Sequence, residues 1–206
     1  MRAEALTYPC VTGEYGIDFS KYIQDFEKKG LHCGIVKGES GAELELEAFE
    51  NSLKVVDKSN PDRGMEAIVT NGVFSFSVQT RRRITDECAW GDTPHPDMFA
   101  ARFVRFAIAY FGENGEEVTI CQGEWGPYSD NWLVFNDEYG RHGNKARAAK
   151  ATWSGKLFAS MGFSQLRSRD VEISYKEHGV KEEAGTGDKV KKPVIIARFR
   201  RPKSKI

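Results

Sequence analysis

The chain has 206 residues, enough for one domain that buries roughly 70% of its unfolded surface without disulfide staples. Hydrophobic residues make up 40% and charged residues 29%, with 13 Phe, 7 Tyr and 4 Trp, a composition that excludes a wholly disordered chain. Formal net charge is zero, but residues 1–100 hold 11 Lys/Arg against 17 Asp/Glu, which leaves 19 against 13 in the rest. The chain therefore reads as a single domain, 1–206, divisible into an acidic, hairpin-rich half (1–97) and a basic half (98–206).

Cys10, Cys33, Cys88 and Cys121 form no CxxC pair, and the length needs no disulfide, so reduced thiols in a cytoplasmic compartment are expected. No run approaches the ~18 apolar residues of a membrane span, and the first residues lack an apolar signal core. Membrane spanning and signal-dependent export are excluded on this reading; export through a specialised machine is not.

In chain order, Phe19, Tyr22, Ile23 and Phe26 recur at helical spacing and predict a helix from Asp18 to Gly30. Strands follow at 31–37 and 43–49 around Gly38-Glu39-Ser40-Gly41, the second alternating Glu43, Glu45 and Glu47 against leucines. Asn60 to Gly64 reads as a break, and Asn71-Gly72 as a hairpin turn. Thr85 to Asp97 reads as a loop. Residues 101–111 alternate well enough to predict a strand, returning at 118–125. Two helices are expected next, one capped by Ser129 and ending at Gly140, the other capped by Asn144 and ending at Gly162. Strands close the chain at 163–167, 171–175 and 194–200, with a charged connector over 176–192. The predicted fold is α+β: an antiparallel sheet of several hairpins, an N-terminal helix and a helix pair near 129–161.

The most distinctive stretch is Gly123-Glu124-Trp125, Ser129-Asp130-Asn131, Ala149 to Lys156 and Met161-Gly162-Phe163. Over residues 120–200 it resembles C-terminal segments of bacterial polymorphic-toxin and related effector proteins, which pair a helix carrying Trp and Ser-Asp-Asn with a helix carrying Thr-Trp-Ser-Gly-Lys. The resemblance carries no catalytic residue. Read from the residues alone, the aromatics suit a helix-pair core, and Gly155-Lys156 is not a phosphate loop, because Lys150 occupies the place of the required glycine.

Gly140 to Arg169 contains seven Lys/Arg and no acid. Within it His142 is the candidate general base, and Arg141, Lys145, Arg147 and Lys150 are candidate phosphate-binding cations. Arg81 and Arg83, sharing one side of a strand, are further candidates for a phosphate clamp. His32 and His178 have weaker support. Asp86, Glu87, Cys88, Asp92, His95 and Asp97 match no metal-ligand spacing and read as a connector, so neither metal nor cofactor is expected. Two readings stay open: a toxin or effector-type protein facing nucleic acid or another phosphate-bearing ligand, and a non-enzymatic interaction protein offering Glu43, Glu45 and Glu47 to a basic partner. A small-molecule enzyme using the 85–97 loop is a third. Oligomeric state is not readable at this level.

Overall fold

The computed structural model describes residues 19–38, 40–79, 81–83, 90–94, 100–127, 129–178 and 190–202. Helix α1 (Phe19–Glu27) buries Phe19, Ile23 and Phe26, and Gly30 follows it at φ 67°. Strands β1 (Cys33–Lys37), β2 (Glu43–Phe49), β3 (Ser52–Asp57), β4 (Asn60–Thr70) and β5 (Val73–Gln79) form an antiparallel meander. Asn71 and Gly72 both have positive φ, 51° and 74°, the geometry of the two-residue turn expected there.

The segment 60–64 is not a break. Asp57 accepts hydrogen bonds from the Ser59 N–H and Oγ–H at 2.8 and 2.6 Å, which fixes the turn two residues earlier. Pro61 is tolerated because residues 61–63 fall in a register shift, where β3 offers no opposed partner.

Residues 101–111 are helix α2 (Ala100–Glu113), not a strand. Phe103, Val104, Ala107, Ile108, Tyr110 and Phe111 are all buried on it. So wide an apolar stripe satisfies both a period of 2 and one of 3.6, and length favours the helix. Consequently β8 (Ile120–Trp125) is no hairpin return. It pairs parallel to β5, with α2 in the crossover. Two short strands, β6 (Arg81–Arg83) and β7 (Trp90–Pro94), pair separately inside that crossover, so part of the expected 85–97 loop is extended.

Helix α3 (Asp130–His142) is capped by Ser129 as expected, but it ends at Gly143 (φ 62°) rather than Gly140. The expected second helix is two, α4 (Lys145–Ala151) and α5 (Trp153–Ser160), because Thr152 is extended and caps α5. A 3-10 turn (Ser168–Asp170) precedes β9 (Val171–His178) and β10 (Val190–Arg200), while 163–167 contributes only a single bridge, Gln165 to Arg200. The sheet has eight strands in the order β1-β2-β3-β4-β5-β8-β10-β9. The fold is α+β, with an N-terminal helix and a helical cluster after β8.

One sheet face carries the core. Phe26 of α1 lies against Gly34, Phe111 of α2 against Phe74 at 6.2 Å, Phe135 of α3 near Trp125 at 6.3 Å, and Phe158 of α5 between Phe76 and Phe199 at 5.8 and 5.3 Å. Alternation places Leu44, Leu46, Leu53, Val55, Ala67 and Phe74, all fully buried, on this face. No described helix is long and apolar enough to cross a membrane.

Candidate functional site

The cationic segment contains no acid of its own, but helix geometry brings acids to it from one turn upstream. On α3, Arg141 Nη2 lies 2.7 Å from Asp137 Oδ2, and its Nη1 lies 3.7 Å from Glu138 Oε1. His142 Nε2 is 3.7 Å from Glu138 Oε2, and Arg147 Nε, on α4, approaches the same oxygen at 3.9 Å. The five expected residues of this segment therefore fall into two groups. Arg141, His142 and Arg147 converge on Glu138; Lys145 and Lys150 do not join them. A phosphate at this cluster must compete with two carboxylates for the guanidinium groups. Arg81 and Arg83 share β6, but their side chains are not among the described ones. The metal-ligand candidates of the 85–97 loop likewise lie outside the described residues, apart from the backbone of Asp92 in β7.

The motif that carried the resemblance is a junction between helices. Ser129 Oγ accepts from the Trp132 N–H at 3.2 Å. Asn131 and Ser154 bond reciprocally: the Asn131 amide donates to Ser154 Oγ at 2.9 Å, and the Ser154 N–H donates to Asn131 Oδ1 at 3.2 Å. Thr152 Oγ1 donates to the Ala149 carbonyl at 2.7 Å and accepts from the Gly155 N–H at 3.0 Å. A Cβ at Gly155 would run into the Ala149 carbonyl oxygen. Each conspicuous residue thus satisfies a helix end or permits a close approach, and Trp153 sets its ring edge-on to Phe76 at 6.3 Å.

Near the end of the helical cluster, Asp170 ties the 3-10 turn to β10. It accepts from the Arg167 N–H at 3.0 Å and pairs with Arg200 Nη1 at 2.5 Å. Partial burial pushes its carboxyl up, but the Arg167 N–H and the Arg200 guanidinium outweigh that and hold it below its ordinary value. Cys33 and Cys121 are free thiols, the first exposed and the second buried, and burial pushes the Cys121 thiol well up, away from reactivity.

The second candidate surface is the sheet face opposite the core. Ile35, Phe49 and Ile68 remain 45%, 45% and 37% exposed there. Register sets Phe49, Ser52, Ile68 and Ser75 in one row across four strands, with the His32 ring stacked on Phe49 at 5.4 Å. The neighbouring row is Glu47, Lys54 and Glu66. The carboxylate row expected on β2 is here, but it is partly neutralised: Lys58 reaches Glu43 at 3.1 Å and Lys54 approaches Glu47 at 3.9 Å. The Lys58 hydrogen bond holds the Glu43 carboxyl below its ordinary value. The apolar row went unread in the sequence because Phe49 and Ile68 belong to different strands, and only register aligns them. Glu138 went unread because it lies just before the acid-free segment; its i,i+4 spacing to His142 was the available signal.

No protein-family model, curated protein or solved structure matches this chain.

Proposed function

We propose that this chain works as an interaction protein that receives a protein partner on the open face of its sheet, in a reducing compartment. The observation that carries the reading is the aligned row Phe49, Ser52, Ile68, Ser75, in which large exposed apolar groups sit between small ones and beside carboxylates. Between the flanking serines Ile68 keeps 37% of its surface open, available for burial by a partner. Glu45 and Glu66 project from the same face beside Val56 and Lys54, so the partner that fits combines an apolar contact with basic side chains. The test is affinity capture from the cell that makes the protein, run with wild type, Ile68→Glu and Arg141→Glu/Arg147→Glu. A partner retained by the arginine variant and lost with Ile68→Glu supports the reading. A partner lost only with the arginine variant overturns it.

A second reading rests on a different observation. Helix α4 packs against the 3-10 turn, so exposed Lys150 and exposed Arg167 occupy neighbouring elements on the helical side. With Lys145 they add positive charge that a polyanion would meet, and the effector-like resemblance belongs to this reading. Binding of a mixed RNA and DNA pool that falls steeply with salt favours it. Absence of binding at low salt removes it.

A further inference from the structure

The sheet ends at β9, and no described residue pairs with its outer edge. An unpaired edge strand is a template for another strand, and proteins blunt such edges or use them. β9 is long, and it carries the exposed side chains Ile173 (37%) and Tyr175 (65%), the latter the most exposed of the large apolar and aromatic residues described. Two residues on the opposite face bear charge of opposite sign, Glu172 and Lys176, with Ser174 between them.

We propose that the β9 edge joins two copies of this chain, which pair antiparallel about a two-fold axis through Ser174. The register follows from sheet geometry. Opposed residues of an antiparallel pair project to the same face, so a continuous sheet requires residues of like parity to meet. Of the registers that satisfy this near the strand centre, an axis at Ile173 opposes Glu172 to Ser174, and an axis at Tyr175 opposes Ser174 to Lys176. Only an axis at Ser174 sets Glu172 against Lys176 of the second copy, twice by symmetry. The same register sets Ile173 against Tyr175 twice on the helix-bearing face, covering both exposed groups. Within each chain Lys176 already reaches Glu124 at 2.6 Å and Glu172 lies 3.8 Å from Arg198, so the charges alternate in sign across the junction. Cross-strand pairs of these kinds are individually weak, so the association is reversible and concentration-dependent.

The edge β1 at the other end does not pair with itself in this way. An axis at Ile35 would oppose Gly34 to Val36 and Cys33 to Lys37, with no opposite charges. The proposed dimer is therefore closed and does not propagate.

The experiment is sedimentation equilibrium on wild type, Lys176→Glu and Glu172→Lys, each alone and the two variants mixed, with urea midpoints confirming that both variants fold. Lys176→Glu sets carboxylate against carboxylate at the junction, and Glu172→Lys sets amine against amine. The mixed pair restores two opposite-charge contacts. The expected result is a dimer for wild type, monomer for each variant alone, and dimer for the mixture. A wild type that stays at monomer mass from micromolar to millimolar concentration overturns the proposal. So does a mixture that stays monomeric, or a variant that dimerises alone as wild type does.

Discussion

The two faces of the sheet are built from the same strands by the same alternation, yet they obey different rules. On the covered face Phe74 packs against Phe111 of α2 and Phe76 of its own strand, and only at the β9 edge do Ile173 and Tyr175 stay exposed among the described large side chains of this face. On the open face Phe49 and Ile68 keep much of their surface in water, and the pairs Lys58–Glu43 and Lys54–Glu47 are exposed. Exposed ion pairs of that kind contribute little to folding. The difference teaches that the residues of the open face are not explained by stability, whereas those of the covered face are.

Substitutions sharpen the contrast. Phe74→Ala, which empties a fully buried site beside Phe111, is expected to lower stability by about 3–5 kcal/mol in urea unfolding. Gly155→Ala forces a methyl group against the Ala149 carbonyl and should cost about 1–3 kcal/mol, while Lys156→Ala, one residue on and exposed, should not. Asp170→Asn removes the charge and one of the two acceptor oxygens, so the Arg167 N–H and the Arg200 guanidinium can no longer both be served, and should cost about 1–2 kcal/mol at neutral pH.

That site also sets an acid limb. The Asp170 carboxyl is held below its ordinary 3.8, so its contribution is complete above that value and is lost as pH falls through the lowered folded value. Urea midpoints from pH 5 downward should therefore decline for wild type, and the decline should be shallower for Asp170→Asn. An equal slope for both would remove Asp170 from the account. At the small end, Ile68→Ser on the open face should change stability by no more than about 0.5 kcal/mol. A cost as large as that of Phe74→Ala would mean that the open face is core after all.

Much of this architecture is legible in the sequence, because it rests on local rules. The alternation in Glu43–Phe49 gives β2, the Asn71-Gly72 pair gives its hairpin, and Ser129 and Asn144 give two helix starts. What resisted reading depends on partners distant in sequence. Helix α2 carries a wide apolar stripe because it packs on β4 and β5 and meets Phe19 of α1 through Phe103 and Phe106, so its periodicity is ambiguous. Thr152 divides α4 from α5 within a continuous helical composition, and the signal was a capping threonine followed by a glycine three residues on. The cationic site was legible as a charge run but not as chemistry, since its character depends on Asp137 and Glu138 in the preceding turns. Neither the row from Phe49 to Ser75 nor the opposed charges of β9 has meaning until strand order and register are known.

The measurement that bears most directly on the account is quantitative capture of partners from the native cell by wild type and by Ile68→Glu, after urea midpoints show equal stability. The open-face account predicts a partner enriched by wild type, lost with Ile68→Glu, and retained when Arg141 and Arg147 are both replaced by Glu. Equal capture by wild type and Ile68→Glu would contradict it.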